Sequence, residues 1–218
     1  MKKLSLLATF AITLLPILSH AETWAFDVYL DKSKMGQHAF TLTEKNGMQE
    51  LVSKAKFNVK VLFVNAYSYD HTAKEIWIKD ANKSCLSSIE AKTIENKVNT
   101  NLSGKLDGKN FVVNVGDKDK QSLAQCVSTF AYWNPEVVKQ SELLNPQNGV
   151  FQKTYFENLG SENILVKGKP TDTTHYRLLS APGSKIKLDI DLWYANNKDW
   201  VALKSVTPEG YTVHYKLK

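Results

Sequence analysis

The residues of strongest chemical character cluster between positions 67 and 77. Tyr67, Tyr69 and His71 fall at every second position, on one face of an extended chain, and Glu75 and Trp77 come just after. A histidine near a carboxylate is a candidate general base, because its proton affinity sits close to neutral pH. The same spacing also describes an aromatic strand face on which His71 only hydrogen-bonds a neighbour. His38, His175 and His214 occur singly, without the spacing of metal ligands, and read as structural or exposed. Asp189 and Asp191 share a strand face as a glycosidase pair would. They alternate with Ile186, Leu188, Ile190 and Leu192, which makes the solvent-facing reading the expected one. Ser128 and Thr129 have no base nearby in sequence. There is no nucleophile elbow, phosphate loop or zinc motif, so no cofactor and no metal is implied.

The densest aromatic group is Phe130, Tyr132 and Trp133, followed by Asn134 and Pro135. These rings either line the mouth of a pocket for an apolar or amphipathic ligand, or anchor their segment on a sheet. The candidate ligand-binding set is therefore Tyr67, Tyr69, His71, Trp77, Phe130, Tyr132 and Trp133, and the catalytic candidates are His71 and Glu75.

Two cysteines, Cys85 and Cys126, are the only ones in the chain. In an exported protein an even count favours a disulfide, the alternative being a thiol paired with a histidine. The bridge would close about 40 residues and add about 3–4 kcal/mol in the chain-entropy model. Two cysteines alone make an incomplete metal site.

Export is read from the N-terminus. Lys2 and Lys3 form a basic start, residues 4–18 are almost wholly apolar, and Ser19, His20 and Ala21 resemble a signal-peptidase site. The alternative is a membrane anchor, but the run is shorter than the roughly 20 residues a spanning helix needs, and Pro16 lies near its end. Residues 1–21 are expected to be cleaved and residues 22–218 to form one soluble domain in the periplasm, with no later membrane span. The 218 residues carry a net charge of +6. The base is nearly all lysine, Arg177 being the only arginine, which argues against nucleic acid as a partner.

Period-two alternation and turn dipeptides dominate the rest. Asn46-Gly47 and Asp107-Gly108 mark tight hairpins. Residues 49–77 run too long for one strand, so breaks are expected near 64–66 and near 70–74. Leu123, Cys126, Val127 and Phe130 fall at helical spacing, and Asn134-Pro135 reads as a cap and first turn. The fold predicted is mainly β: an antiparallel meander forming a curved sheet or partly open barrel, with one helical segment at about 121–145 packed on it. A Cys85–Cys126 bridge would pin that segment to the sheet.

Several stretches together resemble a family of bacterial periplasmic proteins classed as a domain of unknown function. They are Val28 to Asp31 with Gly36 to Phe40, Ala55 to Val59 with Tyr67 to His71, Glu75 to Trp77, and Cys85-Leu86. Phe130 to Pro135, Leu143 to Gln147, and Leu192 to Tyr194 complete the set, which spans essentially the whole mature chain. The resemblance carries no activity. More loosely, a meander with helices on one side is similar to the periplasmic carriers that ferry lipoproteins to the outer membrane, an analogy of fold that does not fix function. The expectation is a protein that binds or carries an apolar or lipidic small molecule. The alternatives are an envelope factor that binds protein partners, and an enzyme using His71 as general base.

Overall fold

The structure, a computed structural model, describes residues 20–61, 64–80, 83–124 and 126–218. Of residues 1–21, the expected leader, only His20 and Ala21 are among them. The chain forms fourteen strands: β1 (His20–Leu30), β2 (Ser33–Lys45), β3 (Met48–Val61), β4 (Val64–Asp80), β5 (Lys83–Glu95), β6 (Val98–Asp107), β7 (Asn110–Val115) and β8 (Gln121–Leu123), then β9 (Glu142–Leu144), β10 (Phe151–Val166), β11 (Lys169–Ser180), β12 (Asp189–Ala195), β13 (Trp200–Val206) and β14 (Thr212–Leu217). All join one antiparallel sheet in the order β8-β7-β6-β5-β4-β3-β2-β1-β14-β13-β12-β11-β10-β9. The first and last strands pair at its centre, Val28 opposite Tyr215. The sheet is not closed, and β8 and β9 are its two edges.

Hairpin chemistry sets the registers. Asn46 and Gly47 both take positive φ, 54° and 73°, as a two-residue turn between right-twisted strands requires. Alternation then puts Leu51, Ser53, Ala55 and Phe57 of β3 inside, and leaves Lys54, Lys56 and Asn58 in water. On β4 the inward residues are Tyr69, His71, Ala73, Glu75 and Trp77. Among the described residues of the long apolar run, β3 ends at Val61 and β4 begins at Val64, beside the first expected break. No second break occurs near 70–74, because β4 continues unbroken to Asp80. Bulges at Val59/Lys60 and Ile76/Trp77 let so long a strand follow the curvature of the sheet.

Both limbs of the sheet curl toward each other and share one core. Trp24 and Phe26 of β1, Trp77 of β4 and Phe111 of β7 belong to the same buried cluster as Leu192 of β12 and Trp200 of β13. Val127, Ala131 and Trp133, from the chain between the two edge strands, complete it.

That chain is not the predicted helix. Only Pro135–Lys139 is helical, as one 3-10 turn capped by the Asn134 side chain, whose Oδ1 accepts from Glu136 N. Residues 126–134 run across the concave face as an irregular strap. Val127, Ser128, Thr129, Ala131 and Trp133 are buried, and from Thr129 on the buried positions alternate, as in an extended chain. Two of the strap's carbonyls are satisfied by the sheet. Val127 O accepts from Leu86 N at 3.0 Å and Ser128 O from Leu144 N at 2.8 Å. Cys126 is joined to Cys85 of β5 in a disulfide, with Cα atoms 4.9 Å apart. The expected pinning of this segment to the sheet therefore holds, though the segment pinned is extended.

Candidate functional site

Where the strap crosses the sheet it leaves a cavity of about 300 Å³. Phe40 of β2, Leu51 of β3, Ala73 of β4, and Trp200 and Leu203 of β13 form its floor. Phe130, Ala131, Tyr132 and Trp133 of the strap form its roof, and Asn145, Pro146 and Gln147 lie at its rim. The roof is held down at two points. Tyr194 OH donates to the backbone oxygen of Tyr132 at 2.8 Å, and the Trp77 and Trp133 rings meet edge to face at 5.7 Å.

Three polar groups stand on the floor. His38 of β2 shares hydrogen bonds with Ser53 Oγ (2.8 Å, Nε2) and with Tyr215 OH (3.1 Å, Nδ1). His71 Nδ1 shares one with Thr93 Oγ1 at 2.9 Å. Glu75 Oε2 accepts from Trp77 Nε1 at 3.0 Å and from Thr129 Oγ1 at 3.1 Å, so this buried carboxyl ties sheet to strap.

Desolvation governs the charge of all three. Burial, and secondarily His71, lowers His38 to about 3. Burial lowers His71 to about 4, partly opposed by Asp70. Both imidazoles are therefore neutral at pH 7. Burial raises Glu75 to about 7, against the opposing pull of its bonds from Thr129 and Trp77. Tyr132 and Tyr215 are pushed up by burial and stay protonated.

The sequence-derived set divides. His71, Glu75, Phe130, Tyr132 and Trp133 come together around the cavity. Trp77 is fully buried behind Trp133 and supports the wall without lining it. Tyr67 and Tyr69 lie farther along the same face, in a smaller stacked cluster with Phe57. The single histidine His38, read from sequence as structural or exposed, is also part of the site, with Ser53, Thr129 and Tyr215. Strand alternation places His38 on one face of β2 with Phe40 and Leu42. Asp189 and Asp191 lie outside the cavity, in ion pairs with Arg177 and with His175 and Lys204.

The chemistry open to this floor is limited. His71 and Glu75 are four residues apart on one strand, about 13 Å at about 3.4 Å per residue, beyond the roughly 3 Å reach of a proton-transfer pair. Ser53 and His38 have the contact of a nucleophile and its base. His38 is held far below the range of a working base, and its second nitrogen meets a tyrosine rather than a carboxylate that would stabilise imidazolium. Among the described residues no group of three His, Cys, Asp or Glu could hold a metal ion. The arrangement suits binding: apolar walls with a few fixed polar points.

The fold defines the class, an open, β-barrel-like antiparallel sheet. The chain belongs to the family described as Domain of unknown function (DUF6134), whose model matches residues 26–218. It is similar in structure to a β-barrel-like protein of domain of unknown function DUF1849 from Brucella abortus, with a TM-score of 0.65 and 11% identity. That likeness covers 90% of this chain and 94% of the other, and at such identity it is one of fold. No curated protein matches the chain. Among the described residues no helix is long and apolar enough to cross a membrane.

Proposed function

We propose that this is an exported periplasmic protein that binds an apolar or lipidic small molecule between its sheet and strap. The observation that carries the reading is the cavity of about 300 Å³, walled by Phe40, Leu51, Phe130, Tyr132, Trp133 and Trp200. Its size falls at the lower end of the roughly 300–1,000 Å³ range of small-molecule sites. In this reading Phe130, Tyr132 and Trp133 grip the ligand's apolar body, and His71 offers it a polar point. Trp77 backs the wall, and Tyr67 and Tyr69 extend the aromatic face beyond it. The leader-like residues 1–21 and the Cys85–Cys126 bridge support an oxidising compartment.

Native mass spectrometry of protein purified gently from periplasm tests the binding. An adduct of a few hundred daltons that disappears on denaturation is expected, and protein at its bare mass in every preparation would overturn the reading. Fusing residues 1–21 to a reporter that is active only after oxidation tests the address, and a silent fusion would overturn it.

A further inference from the structure

The cavity is polar in an uneven way, and the unevenness selects a ligand. No lysine or arginine is among its described lining residues, although the chain has 28 of them. Its histidines, His38 and His71, are neutral. The one lining group able to carry a formal charge at neutral pH is Glu75. Its Oε2 already takes two hydrogen bonds, from Trp77 and Thr129, while a carboxylate offers about four acceptor positions. Around the same space stand the aromatic rings of Phe40, Tyr132, Trp133 and Trp200. Aromatic rings about a desolvated carboxylate are the chemistry that recognises an organic cation. An anionic head placed there would meet a carboxyl and ring faces, with no fixed positive charge to offset its desolvation.

Resting on the ligand-binding reading above, we propose that the cavity takes an amphiphile with a protonated amine head, its ammonium seated on Glu75 and its chain among the aromatic rings. Anionic lipids such as fatty acids are excluded. A cation beside Glu75 favours its ionised form, so binding below about pH 7 releases a proton and affinity rises with pH toward that point. The other titratable groups facing the cavity are His38 of β2, His71 of β4, Tyr132 of the strap and Tyr215 of β14. None of them changes charge between pH 6 and 8. Beside Glu75, β3 presents Leu51, β5 presents Ile89 and the strap presents Thr129.

The test is calorimetric titration of the oxidised mature protein with decylamine, decanol and decanoate, all below their aggregation limits. Decylamine should bind at least tenfold more tightly than decanol at pH 8, with decanoate weakest. The amine advantage should shrink several-fold at pH 6, while decanol affinity stays level. Glu75→Gln should bring decylamine down to the decanol level. The pH series on the unaltered protein gives the same answer should that variant not fold. Decanoate binding as well as decylamine, or an amine advantage that survives Glu75→Gln or does not change with pH, overturns the proposal alone. Failure of all three to bind overturns the ligand-binding reading beneath it as well.

Discussion

The concave face of β2–β4 and the convex face of β11–β13 are built from the same polar residue types and treat them oppositely. Inside, His38, His71 and Glu75 bond hydroxyls and an indole, and burial drives each toward its neutral form. Outside, His175 lies 3.0 Å from both Glu162 and Asp191, and stacks on Trp193 at 4.5 Å. Arg177 there grips Asp189 through two bonds of 2.7 and 2.6 Å and holds its carboxyl below the usual range. The Arg177–Asp189 pair is held ionised because each partner supplies the opposite charge. For the inner groups burial outweighs what opposes it, Asp70 at His71 and the Thr129 and Trp77 hydrogen bonds at Glu75. Residue type alone therefore does not locate the site; the dielectric surroundings do.

Substitutions that separate the faces are ordered by that difference. Trp77→Ala should cost about 3–5 kcal/mol in urea unfolding, since it empties a fully buried site and removes a donor from Glu75. A loss under 1 kcal/mol would mean the inner face is not the core of the molecule. Removing the Cys85–Cys126 bridge, which spans 41 positions, should cost about 3–4 kcal/mol, read as the shift between oxidised and reduced unfolding curves.

Glu75 sharpens the comparison through pH. Its pKa is raised from 4.5 to about 7 on folding, so the folded state holds the proton more tightly. That contribution is fully present below about pH 4.5 and is lost as pH rises through 7. Glu75→Gln abolishes the loss, so the variant should gain about 2–3 kcal/mol relative to the parent between pH 5 and pH 8. The lowered His38 and His71 act with the opposite sign, withdrawing stability as pH falls below 6.5. A difference between variant and parent that stays constant with pH would show Glu75 to be solvated. The smallest effect belongs outside. Arg177→Ala should cost about 1 kcal/mol or less, because that pair is about two-fifths exposed. A larger loss there would erase the contrast.

Strand alternation made most of the sheet legible from sequence, as did the Asn46-Gly47 turn and the cysteine pair. The strap was misread because Leu123, Cys126, Val127 and Phe130 match a helical period by coincidence. From Thr129 on its true pattern, Thr129, Ala131 and Trp133, is the period-two burial of a chain laid across a sheet. What decided between them lies far away in sequence: carbonyl acceptors satisfied by Leu86 and Leu144. Of the site, His71, Glu75 and the strap aromatics were visible, because they sit in one dense run each. His38, Ser53 and Tyr215 were not, because their partnership joins β2, β3 and β14, and no local pattern records a contact across 177 positions.

The pairing of β1 with β14 orders events in time. A chain emerging from its N-terminus can zip β1 through β8 in sequence, hairpin by hairpin, and β9 through β13 in the same way. The two halves become one continuous sheet only when β14, the last strand in order, settles between β1 and β13. Val213 and Tyr215 on that strand line the cavity. The pocket therefore comes into existence only at the final long-range closure, the slowest kind of contact to form. Until then the chain is a pair of half-sheets, and a complete cavity reports that the last strand has docked.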